Sequence, residues 1–177
     1  MAALSFALVA ACTTLPEQAP TGTVFELAGR VAVRSGTDAA SGTIVWRHGV
    51  AFDDLMVRSP LGQGIAEITR RADRYTLTTA DAKQFSAIDP EALTEQALGW
   101  RLPLAGLPDW VRGRPYPDAP SETRTGPDAR IQEIRQLGWT IDYLAYDAAS
   151  GLPSRLRLER DGLDIRLTID SWTMAPE

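Results

Sequence analysis

Cysteine, histidine, long apolar runs and surplus positive charge are all scarce in this chain of 177 residues. The single cysteine, Cys12, excludes an internal disulfide. The single histidine, His48, excludes the zinc site that several His or Cys ligands would build. No apolar run reaches the roughly 18 residues a membrane-spanning helix needs. Lys and Arg number 18 against 23 Asp and Glu, for a formal net charge of −5. Without excess cations no nucleic-acid partner is expected, because phosphate binding needs a face rich in Lys and Arg. The 12 prolines and 14 glycines are dispersed, which excludes collagen-like and low-complexity classes. What is there is ordinary for a folded protein: 44% hydrophobic and 23% charged residues. The length predicts one domain with a short tail, large enough to bury a core without covalent staples.

The start of the chain bears on compartment. Residues 1–11 read MAALSFALVAA, apolar and small, too short to cross a bilayer. They end at Val9-Ala10-Ala11-Cys12, which looks like a bacterial lipobox. That chemistry needs a thiol to acylate and small residues just before it. No Lys or Arg precedes the stretch, whereas export signals carry a positive n-region. Either the start is placed too far downstream or the segment is no signal; a lipoprotein signal truncated at its start is the expectation. Residues 12–22 then form a tether containing Pro16, Pro20 and Gly22. The ten residues after Cys12 extend at most ~35 Å. Thr13, in place of the Asp that retains lipoproteins at the inner membrane, permits export to the outer one. Residues 23–177 are expected to form the single folded domain.

Alternation begins at Phe25, with Phe25, Leu27, Val31 and Val33 on one parity and Arg30 and Arg34 on the other. Gly29 is placed for a bulge. Strand-like segments follow about every ten residues to Thr79, the spacing of antiparallel hairpins. Arg70 to Arg74 and Asp53-Asp54 read as polar turns. Asp89 as N-cap, Pro90 at N1, Glu91 in the first turn and a closing Gly99 predict a helix, with Ile88 and Leu93 as its hydrophobic staple. A second short helix is predicted over Leu107 to Arg112, then a long surface loop over Arg114 to Arg130. Strands resume at Ile131 and finish with a hairpin turning at Asp161-Gly162, pairing Leu158 with Ile165 and Leu156 with Leu167. That register opposes Arg157 to Arg166 and Glu159 to Asp164, so either diagonal pairs offset the repulsion or the turn is longer than two residues. Trp172 is off parity with Ile169, which predicts a bend or a bulge there. The fold expected is mainly β with a few short helices: a large curved antiparallel sheet, its concave face covered by the helices of residues 89–113.

Catalytic patterns are missing. Ser59 sits in Arg-Ser-Pro-Leu-Gly rather than in a nucleophile elbow. His48 has no acid–His–nucleophile spacing around it and reads as a rim residue. Gly62-Gln-Gly64 lacks the third glycine of a dinucleotide loop, Glu67 standing in its place. No enzyme activity, metal or cofactor is expected. Five tryptophans are present: Trp46, Trp100, Trp110, Trp139 and Trp172. Each alone is best read as core, yet a broad aromatic sheet face under short helices also suits an apolar cavity. In Arg58-Ser-Pro-Leu-Gly-Gln-Gly64, Pro60 and Gly62 fix a turn that pushes Leu61 outward, unless Leu61 folds back onto the core.

These segments, taken in order, resemble the LolB family of outer-membrane lipoprotein receptors. The resemblance runs through Phe25-Glu-Leu-Ala-Gly-Arg-Val-Ala-Val, Val45-Trp46-Arg47, Ser59-Pro-Leu-Gly62, Leu102-Pro-Leu, Leu107-Pro-Asp-Trp-Val-Arg-Gly113, Leu137-Gly-Trp-Thr-Ile-Asp-Tyr143, Leu152-Pro153 and Ile165-Arg-Leu-Thr-Ile with Trp172. It covers about residues 25 to 172. It implies an open antiparallel half-barrel with helices in its mouth, anchored by lipid to the periplasmic face of the outer membrane. It implies a monomer that takes lipid-modified cargo proteins from a LolA-like periplasmic carrier and inserts them into outer-membrane lipid. Cys12 would then be the acylated anchor, and Pro60, Leu61 and Gly62 the membrane-insertion loop. Ile44, Trp46, Trp110 and Trp139 are expected to line the acyl-chain cavity, from parity and motif position. The rival expectation is a structural envelope lipoprotein with a packed β-core and no transport role; a lipid-active enzyme is a second.

Overall fold

The computed structural model describes residues 22–175. The described residues form eleven strands and two short helices. Six strands come first: β1 (Thr23–Ser35), β2 (Asp38–Gly49), β3 (Phe52–Arg58), β4 (Gly64–Arg71), β5 (Arg74–Thr79) and β6 (Gln84–Ala87). Helices α1 (Pro90–Leu98) and α2 (Leu107–Trp110) follow. Five strands close the chain: β7 (Ser121–Thr125), β8 (Ile131–Gln136), β9 (Trp139–Tyr146), β10 (Pro153–Arg160) and β11 (Leu163–Met174).

All eleven strands form one antiparallel sheet in the order β6-β5-β4-β3-β2-β1-β11-β10-β9-β8-β7. Each neighbour is a sequence neighbour except at β1–β11, where the first and last strands pair. The sheet stays open, with β6 and β7 at its edges. Those edge strands are the two that the helical segment connects. Residues 88–120 must therefore cross the mouth of the half-barrel, and this connectivity places the helices on the inner face.

Alternation sets which side chains face inward. One row of paired residues crosses half the sheet: Leu27, Trp46, Leu55, Ile68, Leu77 and Phe85. Ile134, Ile141, Leu158 and Ile165 continue the inner face on the other half. Leu93, Leu104, Trp110 and Val111 pack onto that face from the helical segment. Asp89 caps α1, accepting from the backbone N–H of Glu91 at 2.9 Å and of Ala92 at 3.2 Å. Gly99 ends it at φ 85°. Ile88 does not close the expected staple: it is 63% exposed while Leu93 is fully buried.

The Asp161-Gly162 hairpin adopts the register expected, Leu158 opposite Ile165 and Leu156 opposite Leu167. Both turn residues have positive φ, 51° and 81°, as a type I′ turn requires. The bulge lies between Ala28/Gly29 on β1 and Ser171/Ile169 on β11, leaving Asp170 as the extra residue. A Cβ on Gly29 would stand 2.1 Å from the Thr168 carbonyl oxygen, so only glycine permits this approach.

Three local expectations need correction. Arg70 and Arg71 belong to β4, and the turn is Ala72-Asp73. Asp53 and Asp54 lie within β3, not in a turn, because the strand continues through them to Phe52. The loop over 114–130 contains β7, whose Ser-Glu-Thr-Arg-Thr sequence is exposed on both faces and so shows no apolar alternation.

Candidate functional site

Between the sheet and its helical cover lies an apolar cavity of about 150 Å³. Its sheet wall comes from Val31 and Val33 of β1, Ile44 of β2, Val57 of β3 and Ile65 of β4. Its cover wall comes from Leu98, Trp100, Leu102 and Leu107. Strand direction locates it. Val33, Val57 and Ile65 all lie toward the end of the sheet that carries the β1–β2, β3–β4, β8–β9 and β10–β11 turns. The chain enters the sheet at the opposite end, where the Val50 N–H donates to the Gly22 carbonyl at 3.1 Å.

The β3–β4 connection stands directly beyond the cavity. The Gly62 N–H donates to the Ser59 carbonyl at 2.8 Å, and the Ser59 N–H to the Gln63 carbonyl at 2.7 Å. With Gly62 at φ 82°, this is a three-residue hairpin loop ending in a left-handed glycine. Pro60 presets the first turn position. Leu61 is thereby turned outward and is 89% exposed.

Of the four residues expected to line a cavity, Ile44 does so. Trp46, Trp110 and Trp139 do not; they are 3%, 0% and 1% exposed and belong to the packed core. Strand parity placed Trp46 and Trp139 correctly on the inner face, and Trp110 packs onto that face from α2. Whether an inward side chain meets solid packing or empty space depends on what the cover lays over it. Trp100, which the sequence does not set apart from the other four tryptophans, is the one on the cavity wall, and its indole Nε1 is buried without a partner. Cys12 lies outside the described residues.

Trp110 acts as a latch. Its indole Nε1 donates to Gln136 Oε1 at 2.7 Å, and its carbonyl accepts from the Tyr143 hydroxyl at 2.7 Å. Gln136 also donates through Nε2 to the Tyr116 and Ala119 carbonyls, each at 2.7 Å. One buried glutamine thus ties α2 and the chain after it to β8. The signal for Gln136 is a polar residue on the inward parity of Ile134. A second tie holds α1: Arg160 of β10 reaches Glu91 at 3.1 Å, and Arg101 reaches Glu91 at 3.3 Å and Glu95 at 2.6 Å.

Burial raises the Tyr143 phenol far above its ordinary range, and the neighbouring Tyr146 adds to the shift. At the chain-entry end, Asp53 is buried and accepts from the Trp46 indole at 2.9 Å. His48 Nδ1 stands 2.7 Å from the same oxygen, and Arg70 pairs with the other. Arg70 also donates to the Gly49 and Phe52 carbonyls at 3.0 and 3.2 Å. His48, expected at the rim, lies on the wall of a polar cleft beside this cluster. The cluster satisfies a buried carboxylate. Among the described residues no group of three His, Cys, Asp or Glu could hold a metal, and no helix is long and apolar enough to cross a membrane.

An open antiparallel sheet with two short helices across its mouth, and an apolar chamber between, defines the half-barrel class of proteins. Two solved structures share the fold: a LolA superfamily protein from Nitrosomonas europaea (TM-score 0.51, 10% identity, 89% of this chain and 88% of that one) and a DUF1329 family protein from Desulfovibrio piger (TM-score 0.52, 8% identity, 86% and 85%). The family model described as outer membrane lipoprotein LolB matches residues 23–172, and the chain belongs to that family. The outer-membrane lipoprotein LolB of Thiobacillus denitrificans is 41% identical over 182 aligned positions, covering 99% of this chain and 97% of the relative. That of Pseudomonas paraeruginosa is 40% identical over 150 positions, covering 84% and 73%.

Proposed function

We propose that this chain receives acylated proteins from a LolA-like periplasmic carrier and releases them into the outer membrane, holding their acyl chains under the helical cover. The observation that carries this reading is the placement of an apolar cavity immediately behind an outward-turned leucine, at one end of an open sheet. Residues 1–11 serve as the lipoprotein signal, Cys12 as the acylated anchor and residues 12–22 as the tether. Residues 23–177 act as one unit and as a monomer.

Transfer of this kind needs no bond chemistry, and the chain is not an enzyme in this reading. Each buried methylene contributes ~0.8 kcal/mol in either cavity or in the bilayer. The chains therefore exchange like for like, and small differences in affinity set the direction. The cavity of about 150 Å³ suits only a short stretch of an acyl chain. A longer stretch needs the cover to part from the sheet. The cover can do so on the side of α1, which Leu93 and the Arg160–Glu91 pair hold to the sheet, whereas α2 is pinned through the buried hydrogen bonds of Gln136 and serves as the hinge side.

Leu61 is the membrane-contacting tip, with Pro60 and Gly62 holding it out. A structural envelope role with a solid core is not favoured, since the space behind the tip is hollow. Reconstituted transfer tests the reading. The acylated chain in vesicles should take labelled lipoprotein from its carrier and pass it to lipid. Cargo that stays on the carrier in its presence would refute the reading.

A further inference from the structure

The turn between β8 and β9 is anomalous for its residue type. Gln136 pairs with Trp139, leaving a two-residue turn of Leu137 and Gly138. Both residues have positive φ, 53° and 76°, as a type I′ turn demands. That conformation suits Asn, Asp and Gly, and β-carbon crowding disfavours it for leucine. The neighbouring turn of the same kind uses Asp161-Gly162, the expected chemistry. Leu137 recovers only part of the strain by burial, for it remains 45% exposed. An apolar side chain held outward at a conformational cost points to a partner outside the fold.

Strand direction shows where it points. The β1–β2, β3–β4, β8–β9 and β10–β11 turns all project from one end of the sheet. Among the described residues of those turns, Leu61 and Leu137 are the large exposed hydrophobics. Six strand spacings separate the two tips in the sheet order, ~29 Å measured along the sheet. The lining of the apolar cavity reaches toward this same end through Val33, Val57 and Ile65. We propose that Leu137 is a second membrane-contacting tip, so that the end of the half-barrel rests on the bilayer at two points astride the cavity. The partner is lipid because both contacts are isolated projecting points. Such points enter a fluid acyl layer, whereas a protein partner needs a continuous matching surface. The family's outer-membrane location supplies the bilayer. Two-point contact would hold the cavity facing the acyl layer, where a single tip leaves the domain free to tilt. This inference rests on the proposed role of Leu61.

The test uses the acylated full chain reconstituted in vesicles of phosphatidylethanolamine and phosphatidylglycerol. An environment-sensitive fluorophore is placed through L61C, L137C or V50C. Val50 is 79% exposed on a turn at the opposite end and serves as the control. The expected result is a blue shift, with quenching by nitroxide-labelled lipid, at both leucine positions and neither at Val50. Insertion at Leu61 with Leu137 still in water would overturn the second tip alone. Water exposure at both leucines would overturn the reading on which it rests. A substitution gives an independent check. Leu137→Asn suits the left-handed backbone, so thermal stability should hold or rise. Lipid quenching at L61C and cargo insertion should nevertheless fall several-fold, with uptake from the carrier unchanged. Normal insertion by that variant would contradict the proposal.

Discussion

Single residues divide into those that make the molecule stand and those that give it something to do. In the proposed transfer Leu61 belongs to the second group: it is 89% exposed and is held outward by a hydrogen-bonded loop. Leu61→Glu should fold normally and accept cargo. Its insertion step should fall by about a hundredfold, from the ~2.5–3.5 kcal/mol that a charge costs within a bilayer. A vesicle transfer assay that scores uptake and release separately measures this. Asp53 belongs to the first group. Asp53→Ala strands the half-buried Arg70 guanidinium and leaves the Trp46 indole unpaired. The loss should be ~3–5 kcal/mol, read as a lower denaturant midpoint, with Asp53→Asn milder because it still accepts from Trp46. Tyr143 gives the molecule an alkaline limit. The folded state holds its phenol neutral, while the unfolded chain releases that proton near pH 10. Stability is therefore full below about pH 10 and falls as pH rises beyond it. Tyr143→Phe should flatten that decline while losing ~1 kcal/mol at neutral pH, for the hydrogen bond to the Trp110 carbonyl. Urea midpoints across the alkaline range show both effects.

Elements differ in how plainly the sequence announces them. The Asp89-Pro90 start, the Gly99 stop and the Asp161-Gly162 hairpin were legible because each rests on local chemistry: a cap, a fixed φ and a type I′ turn. The bulge was legible as a parity fault between Ile169 and Trp172 and a glycine on the facing strand. β7 was not legible, since an edge strand exposed on both faces has no apolar period. β6, four residues long, is too short to show one. The Asp53–Arg70 pair looks like two turns in the sequence because its members and their neighbours are charged. Only the register of β3 on β4, which sets Asp53 opposite Arg70, brings the charges together. The Gly29 site carries a prediction at this scale. Gly29→Ala drives a methyl into the Thr168 carbonyl, so β1 and β11 must shift apart, costing ~1–3 kcal/mol. Because that pairing joins the two halves of the sheet, hydrogen exchange should quicken along both strands.

At the scale of the whole molecule, one open sheet and a cover strung between its edges enclose an apolar container. Parity along each strand was enough to indicate an inner face. It was not enough to separate Ile44, which meets the cavity, from Trp46, Trp110 and Trp139, which meet solid packing. That difference arises only where residues 98–107 lie across the sheet. Filling the space tests the container: Ala66 is on its wall, and Ala66→Phe should exclude acyl chain while the strands remain paired. Losing room for three methylenes costs about 2.4 kcal/mol, roughly fiftyfold in affinity for an acylated probe. The most direct measurement is photocrosslinking from single positions to the acyl chains of bound cargo. Ile65 faces the cavity, whereas Val45 is 38% exposed on the other side of the sheet. Crosslinks to the lipid from position 65 and none from position 45 are the result expected. Equal labelling from the two faces, or lipid captured only at position 45, would contradict a cargo held beneath the cover.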